Sequence, residues 1–162
     1  MEMPFADFQM VFDPLLPPGM QWYWKGDFFR DLPDEAIALH VEQARKMPVG
    51  PSIMHLYPVN GAASRVAAGD TPWNYRDATL AMVIAGIGEN ADARETITRW
   101  ARGYWEALHP YSYRDSYVNF MMEEGEERVR STYGDQYARL VDVKRRYDPA
   151  NLFHVNHNIR PQ

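Results

Sequence analysis

The sequence predicts an α+β fold: a mainly antiparallel sheet with helices on one face. Three observations lead there. Apolar runs of strand length and amphipathic helical runs are mixed in order, without the regular strand–helix alternation of a parallel sheet. Pro-Gly and Asn-Gly signals cut the chain into short elements. A length of 162 residues, 46% apolar and 14% aromatic, is enough for one domain with a packed core.

Phe5 to Phe12 reads as a short extended segment, closed by Asp13-Pro14 and Pro17-Pro18-Gly19. Met20 to Phe29 crowds Trp22, Tyr23 and Trp24 together and reads as a strand covered on both faces. Asp31-Leu32-Pro33-Asp34-Glu35 then supplies an acidic cap, an early proline and first-turn carboxylates. The helix it opens puts Ile37, Val41 and Ala44 on one face and stops at Pro48-Val49-Gly50-Pro51. Ser52 to Val59 is a second strand, with Ile53, His55 and Tyr57 on one side and Met54 and Leu56 on the other.

Thr79 to Ile87 is the most apolar segment and takes the centre of the sheet. Asn90 caps a helix from Ala91 to Leu108 whose Ile97, Trp100, Ala101, Tyr104 and Leu108 share a face. Ser116 to Met122 reads as a short strand, and Glu123 to Tyr133 as a polar helical segment ended by Gly134. Asp135 caps the last helix, with Tyr137, Leu140, Val141, the Lys144 stem and Tyr147 along its apolar side. Asn151 to Gln162 is an extended tail.

Composition narrows the function. Seventeen Lys+Arg against 22 Asp+Glu leave a net charge of −5, with no basic run to neutralise phosphates, so nucleic acid is not an expected partner. The apolar run from Leu80 to Ile87 is far short of the ~20 residues of a membrane helix. Met1 to Phe12 lacks a basic leader segment, and the chain has no cysteine, which together predict a cytoplasmic protein. Without cysteine this chain builds no disulfide, thiolate nucleophile or iron–sulfur cluster. His154 and His157 lie three apart near Asp148 but lack the further ligands of a zinc set, so no metal is expected. The acidic run Glu123-Glu124-Gly125-Glu126-Glu127 reads as a solvated helix start, with a carboxylate site beside His109 as the competing reading.

Two segments carry more information: Tyr117-Val118-Asn119-Phe120, and the tail with Asn156 and Asn158 alternating. Paired amides on one face suit a planar, hydrogen-bonding heterocycle; the competing reading is a docked tail. Between them run Tyr133-Gly134, Arg139-Leu140, Lys144 and Tyr147-Asp148-Pro149-Ala150-Asn151-Leu152-Phe153, followed by Asn156-His157-Asn158-Ile159-Arg160-Pro161. In this order these pieces resemble the C-terminal signature of the berberine-bridge-enzyme-like FAD-linked oxidases. Looser matches upstream extend the resemblance over nearly the whole chain.

The resemblance implies the C-terminal, substrate-domain portion of such an oxidase. Residues 1–132 would be substrate-domain-like, and 133–162 the signature helix and tail that pack on the FAD domain. It implies FAD as cofactor, contacted through Asn119, Asn156 and Asn158. A small-molecule substrate would lie near Phe120, Met82 and Arg76. Phe120 stands where the plant enzymes carry a tyrosine base, and Met82 where they carry a glutamate, which leaves Tyr117 as the nearest ionisable catalytic candidate. The family's FAD domain and its Gly-Gly-His attachment segment are missing from the sequence. The partner implied is therefore a separate FAD-binding domain or subunit, or a second copy in a dimer, and the chain alone is expected to be inactive. The alternative is a non-catalytic binding or oligomerisation module.

Overall fold

The computed structural model describes residues 2–15, 17–48 and 50–161. Val49 of the expected helix stop, and Met1 and Gln162 at the ends, lie outside the described residues. In chain order the elements are helix α1 (Phe5–Gln9), strand β1 (Gln21–Phe29), helix α2 (Asp34–Ala44), strand β2 (Ile53–Pro58) and helix α3 (Ala62–Arg65). Strand β3 (Leu80–Gly88) follows, then helices α4 (Arg94–Leu108), α5 (Glu126–Tyr133) and α6 (Tyr137–Tyr147). The sheet has the order β1-β3-β2, with β3 antiparallel to both neighbours, so the most apolar run is the central strand and the class is α+β as predicted.

The two faces of the sheet do different work. On one, Phe29, Met82 and Ile84 pack under α4, with Tyr23, Met54 and Leu56 at the margin of the same core. All five residues assigned to the apolar face of α4 are buried. Asn90 caps as expected, its Oδ1 accepting from the Asp92 amide at 3.1 Å, but a 3-10 turn over Ala91–Ala93 precedes the helix proper. On the other face, Phe28, Ala78 and Ala81 meet Trp73, Tyr75, Tyr117 and Phe120.

Four local expectations are corrected. Residues 5–12 are not extended: Phe5–Gln9 is helical, with the Phe8 amide donating to Pro4 O at 3.1 Å. Among the described residues no strand lies alongside to pair with it, so the backbone satisfies itself locally. In α2 the buried residues are Ala36 and His40, whereas Ile37 and Val41 are 47% and 49% exposed. The small Ala36 lets the helix approach α4, and His40 Nδ1 lies 3.0 Å from the buried Tyr104 hydroxyl. That polar contact rotates the helix away from its most apolar stripe.

Ser116 to Met122 is not a strand. Phe28 donates to Asp115 O at 2.8 Å and Tyr113 donates to Phe28 O at 2.9 Å, which exhausts the pairing with β1. The chain then folds over the sheet in a 3-10 turn, Val118–Phe120. Gly26 permits this crossing: a Cβ there would stand 2.7 Å from Ser116 Oγ and 3.2 Å from Phe120 Cβ. Finally, the tail is not a regular extended segment. Asn151 and Asn156 adopt φ of 52° and 58°, and the Asn158 amide donates to Asn156 O at 3.0 Å.

Candidate functional site

A groove of about 1150 Å³ runs between the turn after Tyr117 and the C-terminal tail. Asn119 enters it from the 3-10 turn, and Asn151, Asn156 and Asn158 enter from the tail. The three asparagines singled out in the sequence are thus brought together, by turns rather than by strand alternation. Asn119 Nδ2 donates to the Tyr117 hydroxyl at 2.8 Å, so these two also meet. Phe120 is not in the groove; it packs between Tyr57 and Tyr117, with centroids 5.4 and 5.2 Å away.

The tail is held in place at two points. Asp148 closes the end of α6 by accepting from the amides of Leu152 and Phe153 at 2.7 and 3.0 Å. The Lys144 ammonium beside it, together with those amides, holds the Asp148 carboxyl below its ordinary value. Further on, His157 Nε2 donates to Met121 O at 3.1 Å and ties the tail across the groove.

The opposite wall rests on a buried ionic cluster that sequence reasoning missed. Glu124 was read as part of a solvated helix start, yet its side chain is 4% exposed. It lies 2.6 Å from Lys25 Nζ and 2.9 Å from Arg128 Nε. Arg128 reaches on to Asp27 Oδ1 at 2.7 Å, and Asp27 Oδ2 also meets His109 Nδ1 at 2.7 Å and Ser112 Oγ at 2.9 Å. Both cations sit over the Trp105 ring, at 4.7 and 5.3 Å from its centroid. Gly125, at φ 90°, separates Glu124 from α5 and frees it to turn inward. The legible signal was charge of both signs, Lys25 and Asp27, inside an aromatic strand.

Three buried acceptor oxygens bordering this groove have no hydrogen-bond partner: Glu124 Oε1, Asn151 Oδ1 and Asn158 Oδ1. Such orphans are costly unless a donor meets them. The groove therefore fits a ligand rich in N–H and O–H groups. Its exposed rim carries Glu123 and Glu126 against Arg160, a balance that disfavours an anion there.

The remaining predicted residues lie elsewhere. Met82 is fully buried in the core under α4, on the sheet face opposite Phe120. Arg76 donates to Ala63 O at 2.7 Å and to Thr71 Oγ1, pinning the loop before β3 rather than entering the groove. His154 is turned to the backbone oxygens of Asn151 and Leu152. Among the described residues no cluster of three or more His, Asp or Glu could hold a metal, and no helix is long and apolar enough to cross a membrane.

Comparison with known proteins accords with this geometry. Residues 116–160 match the family model described as "Berberine and berberine like". An FAD-linked oxidoreductase of Dictyostelium discoideum is 25% identical over 160 residues, 98% of this chain but 35% of the relative. Berberine bridge enzyme-like 28 of Arabidopsis thaliana is 30% identical over 121 residues, 60% of this chain and 23% of the relative. The structure of berberine bridge enzyme from Eschscholzia californica superimposes with a TM-score of 0.73 at 20% identity, over 88% of this chain and 33% of that one. The chain thus spans about a third or less of the proteins it matches. In residues 116–160, in its relatives and in its fold, the chain is similar to part of the length of the berberine-bridge-enzyme-like FAD-linked oxidoreductases.

Proposed function

We propose that this chain forms the wall of an FAD-linked oxidase that faces the flavin ring, with the groove between the 118–124 turn and the tail receiving the flavin. The observation that carries this reading is the convergence of unpartnered buried acceptors, Asn151 Oδ1, Asn158 Oδ1 and Glu124 Oε1, on the groove that also holds Asn119 and Asn156. An isoalloxazine imide and a ribityl chain are rich in the donors those atoms lack. When bound, FAD accepts a hydride from a small-molecule substrate and is reoxidised by oxygen.

This chain's own part is binding and orientation. Asn119 is held by Tyr117, the tail is held by Asp148 and His157, and Glu124 is fixed by two cations. Tyr117 is the ionisable group nearest the Asn119 amide and is proposed to handle the substrate proton; Phe120 has no group to do so. Glu123 and Glu126 on the rim disfavour the FAD pyrophosphate in the groove, so a separate flavin-binding domain or subunit is proposed to hold it.

The test is a titration of the chain with lumiflavin, riboflavin and FAD, followed by flavin fluorescence. The expected result is binding of lumiflavin and riboflavin, no gain in affinity for FAD, and at least about fivefold weakening in Asn158→Ala. Failure of all three flavins to bind would leave the second reading, a non-catalytic association module. That reading draws support from the exposed apolar side chains at Phe5, Phe8, Phe12, Phe153 and Val155.

A further inference from the structure

Beyond Val118, which borders both, lies a second cavity of about 260 Å³. Five aromatic rings border it: Phe28, Trp73, Tyr75, Tyr117 and Tyr133. The rings brace one another, with centroids 5.1 Å apart for Phe28 and Trp73, and 5.2 Å for both Phe28–Tyr75 and Trp73–Tyr117. A cavity of ~150 Å³ holds benzene, so this one has room for a single ring with a substituent.

Its chemistry is neutral. No charged side chain borders it among the described residues. The Tyr75 hydroxyl is turned away to Asp115, and burial pushes the phenols of both Tyr75 and Tyr133 upward, so both stay uncharged. Two buried hydroxyls remain in the wall with poor partners. Ser116 is 1% exposed and its Oγ has only Tyr117 O at 3.4 Å. Thr132 is 6% exposed, and its Oγ1 donates to the weakly accepting sulfur of Met121 at 3.3 Å. Both keep lone pairs free to accept. Asn74 is the remaining non-aromatic polar residue at the border, and the rest of the wall is mostly carbon, so a ring with one hydroxyl completes the site better than a cluster of waters, each of which needs two to four polar partners.

We propose that this cavity binds a neutral, single-ring phenol, whose ring packs among Phe28, Trp73 and Tyr117 and whose hydroxyl meets Ser116. Such an occupant would touch the ring of Tyr117, whose hydroxyl in turn holds Asn119 in the groove.

The experiment follows para-fluorophenol by fluorine NMR with the full chain, using para-cresol as competitor. Saturable, competable binding is expected, at least about tenfold tighter than that of fluorobenzene. Leu140→Trp, which fills the cavity, is expected to weaken it at least about tenfold, with circular dichroism reporting whether the variant folds. Ser116→Ala is the gentler variant, expected to weaken the phenol several-fold while leaving fluorobenzene unchanged. Asn158→Ala, in the groove, should change neither probe. The proposal is overturned by the absence of saturable binding. It is equally overturned by equal affinity for the two probes, or by full affinity in folded Leu140→Trp.

Discussion

Arg128 is the residue on which the groove wall depends. It bridges the two buried carboxylates, Asp27 and Glu124, whose side chains are 0% and 4% exposed. Arg128→Met would leave Asp27 with only His109 and Ser112, and Glu124 with only Lys25. Breaking such a cluster from one side costs about 3–5 kcal/mol, because a buried charge loses its partner. Urea unfolding should show that loss, and Arg128→Lys should recover only part of it, since an ammonium lacks the fork that reaches both carboxylates. Gly26→Ala tests the crossing of the 116–120 turn. Its Cβ would meet Met82 O and Ser116 Oγ, both at 2.7 Å, and the backbone oxygen cannot rotate away. The expected cost is about 1–3 kcal/mol, together with displacement of Asn119, read as weaker lumiflavin binding.

Between elements, the α2–α4 contact carries a pH dependence. Burial holds the His40 pKa below its ordinary 6.5, and burial pushes the Tyr104 phenol beside it up to about 12. His40 is therefore neutral in the fold and gains a proton more readily when unfolded. Its contribution is fully present above pH 6.5 and is lost as the pH falls below that value. A chemical-denaturation series from about pH 5 to 7.5 should show stability rising with pH, and His40→Gln should flatten part of that rise. On the same helix, Ile37→Ser and Val41→Ser should each change stability by less than about 0.5 kcal/mol, since both side chains are already half in water. The expectation that these residues form the buried face failed because hydropathy alone set the stripe. It did not weigh a His–Tyr hydrogen bond or the close approach that Ala36 allows.

Across the whole molecule, exposed apolar surface gathers at the two ends. Phe5 and Phe12 are 74% and 64% exposed, and Leu152, Phe153 and Val155 are each above 70%. Surfaces of this kind normally meet a partner. Light scattering should find the chain self-associating at tens of micromolar, and the double change Phe153→Ser with Val155→Ser should reduce that association without altering the unfolding midpoint. If the tail packs on a flavin-binding polypeptide, adding that polypeptide should dissolve the self-association as well.

What the sequence determined by itself was periodic or ordered along the chain. The central position of β3, the face of α4 and the alternation in β2 follow from local spacing, because helix and strand project side chains at fixed intervals; the C-terminal signature was legible as an ordered resemblance. The asparagines could be named from that order. Their meeting in one groove was decided by the tertiary structure, through left-handed turns at Asn151 and Asn156 and the fold of the 118–120 segment over Gly26. The ionic cluster and the aromatic cavity were likewise tertiary. Lys25 and Glu124, or Phe28 and Tyr133, are about a hundred residues apart, and no local pattern records that burial will bring them together. Spacing says which way a side chain points; only packing decides what it meets there.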